Sequence, residues 1–159
     1  MKKIIYFLVV TLALTSSVFS AGSSDGGSDD NNKISNYTKA HNLVKSAKKY
    51  EKKGKIEKAK KRYAKAQKLL LKSNKEKPLQ ADTLNYLGFT TRKLGDLKKG
   101  EEYYLKGLQI EPNHKGINEY LGELYVATNR IDLANERLAV LKNCNCEEYQ
   151  ELELIIKTK

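Results

Sequence analysis

Tryptophan is absent from this sequence, and proline, cysteine and histidine occur only twice each. Two prolines exclude a proline-rich recognition scaffold, and an aromatic content of 8% excludes an aromatic-rich one. Two cysteines cannot build a multi-disulfide framework. With His41 and His114 far from both cysteines, no four-ligand zinc site is expected. The signatures of catalysis are missing as well: there is no Gly-x-Ser-x-Gly, no His-Glu-x-x-His, and the stretch Gly95 to Gly100 lacks the Lys-Ser/Thr of a phosphate loop. The acidic pairs Glu101-Glu102 and Glu147-Glu148 are adjacent, so on a helix they point in different directions and cannot act as paired carboxylates. No catalytic residue, metal or cofactor is therefore assigned, and an enzyme is not expected.

What is present fits one domain. The chain has 159 residues, of which 31% are charged and 40% hydrophobic, enough for a modest core. Its net charge of +11 would ordinarily raise nucleic acid or an anionic membrane as a partner. The N-terminus changes that weighting. Lys2 and Lys3 precede a largely apolar run from Ile4 to Leu14, and Val18-Phe19-Ser20-Ala21 offers small residues for cleavage, after Ser20 or else Ala21. This reads as a secretory signal over residues 1–20. Ile4 to Phe19 is short of the roughly 20 apolar residues a bilayer requires, so no transmembrane span is expected after cleavage. No cysteine stands there for lipid attachment. An exported, periplasmic protein is separated from genomic nucleic acid, which is not expected as a partner. Residues 21–33 are small and polar, and read as a disordered linker.

Beyond the linker the sequence repeats. A shift of 34 places lays Tyr86-Leu87-Gly88 on Tyr120-Leu121-Gly122, Leu97 on Ile131, Gly100 on Ala134 and Tyr104 on Leu138. The segment from Ala81 to Pro112 resembles the tetratricopeptide repeat (TPR) family through Leu84, Leu87, Gly88, Gly95, Gly100, Tyr104, Gly107 and Pro112. A later unit from Lys115 keeps Leu121, Gly122, Tyr125, Ala134 and Leu138, and an earlier one from Ala40 keeps Leu43, Ala47, Tyr50, Gly54, Ala59, Tyr63 and Ala66. The first unit stands 41 residues before the second, so seven extra residues are expected to lengthen its second helix through Leu69-Leu70-Leu71. The expected fold is all-α: an α-solenoid of three helix pairs, at about 40–77, 81–114 and 115–146, closed by a capping helix over 147–157, the whole domain covering 34–159.

Physical reasons support each part. Small Ala47, Gly88 and Gly122 on first helices are expected to receive large Tyr63, Tyr104 and Leu138 from the second helices. Gly54, Gly95 and Asn129 tolerate the left-handed backbone that ends one helix and starts the next. Pro78 and Pro112 stop the second helices. Asn145 is expected to cap the last helix, with Glu148 placed for a capping box. Tyr149, Leu152, Ile155 and Ile156 form the stripe that covers the end of the stack.

The resemblance implies a groove lined by the first helix of each unit, taking a protein or peptide partner. The partner-binding candidates are Lys48, Lys52, Asn85, Phe89, Arg92, Lys93, Glu119 and Glu123, the cations meeting the two glutamates across the groove. Some members grip a terminal carboxylate with a fixed Lys/Asn/Arg set, which is not reproduced here. Cys144 and Cys146 are close enough for a disulfide that clips the start of the cap helix; free thiols or a redox role stay open. Charge is uneven: residues 33–77 carry 17 basic and 3 acidic side chains, residues 78–159 carry 11 and 13. The first unit is thus either an ordinary solvated surface or a binder of anionic lipid or polymer at the cell envelope. The sequence-level expectation is a periplasmic adaptor that binds a peptide or partner protein, with a basic envelope binder as the alternative.

Overall fold

A computed structural model describes residues 34–159; the signal expected over 1–20 and the linker expected over 21–33 lie outside the described residues. The described chain holds seven helices and no strand: α1 (Asn36–Lys52), α2 (Ile56–Glu76), α3 (Ala81–Lys93), α4 (Leu97–Ile110), α5 (Lys115–Ala127), α6 (Ile131–Leu141) and α7 (Glu147–Lys157). Consecutive helices pack on one another, the first helices α1, α3 and α5 also touch in turn, and α7 rests on α5 and α6. This is the expected all-α stack of three helix pairs and a cap.

Local chemistry explains where the helices begin and end. The hydroxyl of Ser35 accepts from the Thr38 amide at 3.0 Å, Asp96 accepts from the Lys99 amide at 2.9 Å, and His114 Nδ1 accepts from the Ile117 amide at 3.1 Å. Within each pair the chain reverses at Gly54, Gly95 and Asn129, whose φ angles are +68°, +104° and +59°. The second helices stop at proline. Lys77 and Glu111, which precede Pro78 and Pro112, take φ −134° with ψ +89° and +86°, out of the helical region that a following proline disfavours. Helix α2 has 21 residues against 14 in α4, seven more, so the extra two turns fall where the spacing puts them. The link into α3 turns at Leu79, φ +59°, a position that no glycine or asparagine marks in the sequence.

The core runs along the stack from Ala40 and Val44 through Tyr63, Leu70, Leu87, Phe89 and Tyr104 to Leu121, Leu124 and Ala134. Gly88 receives Tyr104: a Cβ at residue 88 would stand 2.5 Å from the tyrosine Cε1, so only glycine lets the ring lie there. Two expectations need correction at the C-terminal end. Gly122 receives Leu152 of the cap helix, not Leu138, which is only half-buried. Helix α7 is capped by Cys146 without a side-chain bond, because Asn145 is itself in the left-handed turn at φ +46° and cannot take the extended backbone of a cap. The structure joins Cys144 to Cys146 across a Cα separation of 5.2 Å, and this bond encloses that turn.

Candidate functional site

The groove along α1, α3 and α5 is built around two aromatic rings. Phe89 of α3 and Tyr120 of α5 lie 4.8 Å apart between centroids, and Lys48 of α1 reaches over both, its Nζ 5.0 Å from each ring. Lys48 also donates a 2.8 Å hydrogen bond to the Tyr120 hydroxyl. Phe89 is 2% exposed, and its other side packs edge-on against Tyr63 at 5.7 Å, so it is a core ring as well as a groove floor. A cavity of about 370 Å³ opens here, with Lys49, Lys52, Lys93 and Glu51 at its rim and Glu123 and Glu151 at its far side.

The charges in this groove are largely paired with each other. Arg92 donates to Glu123 at 2.5 Å with both side chains mostly covered. Lys93 donates to one oxygen of Glu51 at 2.8 Å, and the Tyr63 hydroxyl donates to the other at 2.7 Å. Burial disfavours the Glu51 charge, but those two bonds outweigh it and hold its carboxyl below the usual range. The cations therefore do not all meet the glutamates of α5. Arg92 does, through Glu123; Lys93 is held by Glu51, Lys48 by a phenol, and Lys52 stays exposed at the rim.

Glu119 and Asn85 are placed differently from the open groove. Glu119 is 3% exposed beneath α7, and burial, reinforced by the nearby Glu151 and Glu123 carboxyls, pushes its own carboxyl up to about 9. It is neutral at pH 7, so it offers a partner no charge. The three carboxyls gather within 4.8 Å, a spacing that could hold a cation, but Arg92 already occupies Glu123 and a proton already neutralises Glu119. Asn85 is 5% exposed with its Oδ1 unpaired, and its amide nitrogen lies against α5: a Cβ at Gly116 would stand 2.8 Å from it. Of the eight candidates, Lys48, Lys52, Phe89, Lys93 and Glu123 line the cavity, with Arg92 bracing Glu123 from beneath. Lys49, Glu51, Tyr120 and Glu151 also line it and are not among those eight. Tyr120 stands one repeat after Tyr86 and reads as a structural tyrosine; Glu151 belongs to the cap helix, whose approach no repeat spacing encodes.

Residues 81–114, which span α3, the Gly95 turn, α4 and the Pro112 stop, match the family model for the tetratricopeptide repeat. The chain carries a tetratricopeptide repeat. The helix pairs on either side of this repeat have the same order of first helix, left-handed turn and second helix, so the repeat supplies the middle wall of the groove, with Phe89, Arg92 and Lys93 on its first helix. Among curated proteins, the Sol locus transcriptional repressor of Clostridium acetobutylicum is 39% identical to this chain over 69 residues, covering 42% of this chain and 22% of the repressor. The chain thus spans about a fifth of that relative's length. Among solved structures, the first TPR of Spaghetti (RPAP3), bound to the HSP90 peptide SRMEEVD, aligns with a TM-score of 0.48 at 19% identity, covering 77% of this chain and 94% of that one.

Proposed function

We propose that this protein is a non-catalytic adaptor, exported to the periplasm, that holds a peptide or helical segment of a partner protein in the groove between α1 and α5. The observation that carries this is the Phe89–Tyr120 floor with Lys48 across it, beside exposed Lys49 and Lys52 and the carboxylates of Glu51, Glu123 and Glu151. An apolar floor supplies contact area, and a cationic side facing an acidic side fixes the direction of an incoming segment. Most groove ions are already paired, so a partner meets a preorganised surface and little side-chain freedom is lost on binding. Export rests on the positive start, apolar run and small-residue cleavage site of residues 1–21.

The test is crosslinking in intact envelopes followed by purification at moderate salt. Phe89 and Arg92 are too buried to serve as clean probes, so the informative variants are Lys48→Glu and Lys52→Glu. A discrete partner that is recovered with the natural protein and lost with both variants supports the reading. Recovery unchanged by both charge reversals, or fractionation of the protein with the cytoplasm, overturns it.

A further inference from the structure

The groove leaves the most basic part of the molecule unused. On α2, Lys58, Lys61, Lys65, Lys68, Lys72 and Lys75 recur at intervals of three and four residues. That spacing sets six side chains in one row along the helix, each about 5–6 Å from the next at Cβ. At 1.5 Å per residue the row is roughly 26 Å long. All six are exposed, and they lie about 150° round the helix from the buried row of Ala59, Tyr63, Ala66, Leu70 and Ser73. Among the described residues no carboxylate pairs with any of them; the one ion pair made by this helix uses Lys60 and Glu57.

The rest of the solenoid supplies the control. The matching row on α4 is Lys99, Glu102, Lys106 and Gln109, in which Lys99 and Glu102 neutralise each other at 2.7 Å. On α6 and just beyond it, the same row is Leu133, Glu136, Val140 and Asn143. An outer face of this fold therefore needs no lysine row. At its N-terminal end the row meets a small concavity of about 190 Å³ whose lining is Tyr50, Lys58, Lys61, Arg62 and Lys65, with no acidic member. There Arg62 stacks on the Tyr50 ring at 4.8 Å, which holds its guanidinium ready for an anion.

We infer that the outer face of α2 is a docking surface for a linear, base-free phosphodiester polymer, seated with successive phosphates on the lysine row and one phosphate in the Arg62–Tyr50 concavity. The ligand is a line because from Lys65 to Lys75 the row is one side chain wide; it broadens only at its N-terminal end, where Arg62 and, around Tyr50, Lys49, Lys53 and Lys55 join it. A membrane-surface helix interleaves its cations with large apolar residues that enter the interface, whereas of the two leucines bordering this row only Leu71 is exposed and Leu69 is partly buried against the core. Single-stranded nucleic acid calls for aromatic platforms on which bases stack, and the row has none beyond Tyr50, already covered by Arg62. The surface is on a second helix, away from the groove built on the first helices, so it stands or falls independently of the peptide reading.

The experiment measures binding of the full chain to poly(glycerol phosphate) as a function of salt. Six phosphate contacts give a slope of log K against log salt of about −4. The triple variant Lys61→Glu/Lys65→Glu/Lys68→Glu is expected to bind at least ten-fold more weakly and to lose about half of that slope, while Lys99→Glu/Lys106→Glu on α4 binds as the natural protein does. A Lys→Gln triple at the same three sites separates charge loss from charge repulsion, and circular dichroism verifies that each variant is folded. Three results overturn the inference: equal loss in the α2 and α4 variants, capture by anionic phospholipid vesicles without binding to free polymer, or tighter binding to a single-stranded oligonucleotide of the same phosphate number.

Discussion

Gly122 on α5 and Leu152 on α7 fit as notch and knob: a Cβ at residue 122 would lie 2.5 Å from the leucine Cδ2, and Leu152 is fully buried. The cap helix is thus locked onto the last repeat by the same device that seats Tyr104 against Gly88 within the middle repeat. Leu152→Ala is expected to destabilise the protein by about 2–5 kcal/mol through lost burial and the cavity left behind. Gly122→Ala should cost ~1–3 kcal/mol by overpacking. In the double variant the alanine at 122 has room, so the combined loss should be smaller than the sum. Urea midpoints of the four proteins measure this, and strict additivity would show that the two residues do not meet.

Glu119 makes stability depend on pH. Its carboxyl titrates at about 9 in the folded chain, well above the ordinary value of 4.5 in the unfolded one. Between those values the folded state holds a proton that the unfolded state has released, so this contribution is complete below pH 4.5 and declines as pH rises toward 9. Glu119→Gln removes the titration while keeping the shape. Its Tm should exceed that of the natural protein at pH 8 and converge with it near pH 4. Parallel Tm curves across that range would sink the assignment.

Glu51 works in the opposite direction. Lys93 and Tyr63 hold its carboxyl below the usual range, so its contribution is present above the unfolded value and is lost as pH falls through the folded one. Acid unfolding below pH 4.5 should therefore begin at lower pH in the natural protein than it does for the carboxylate-retaining variant Lys93→Met, which removes one of the two bonds. A midpoint unchanged by this substitution would mean that the Lys93 bond does not form in solution.

Arg92 and Glu123 form the most covered ion pair in the described chain, with side chains 10% and 22% exposed. Removing one partner strands the other, and Arg92→Ala is expected to cost about 3–5 kcal/mol. A thermodynamic cycle with Glu123→Ala should recover a substantial coupling, since the double variant leaves no stranded charge. Zero coupling would place the two side chains apart.

The Cys144–Cys146 bond encloses so few residues that it constrains the unfolded chain little. Cys146→Ser, or reduction of the natural protein, should cost no more than ~2 kcal/mol and leave the helix content intact. Collapse of the cap on reduction, seen as loss of helical signal equal to that of Leu152→Ala, would give the bond a larger part than the loop length allows.

The repeat, the three left-handed turns, the proline stops and the seven added residues of α2 were all legible in the linear sequence. Each depends on a residue's own backbone preference or on the face it takes on its own helix, and both follow from local spacing. Periodicity says that Gly122 must be filled but not by which helix, so Leu152 rather than Leu138 took the notch. The same holds at the groove. The sequence supplies Lys93, Glu51, Tyr120 and Glu119, but only packing decided that Lys93 binds Glu51, that Tyr120 forms the floor beside Phe89, and that α7 covers Glu119 so deeply that it keeps its proton. Those outcomes depend on distance and dielectric between elements far apart in the chain, and both come into being only when the helices are stacked.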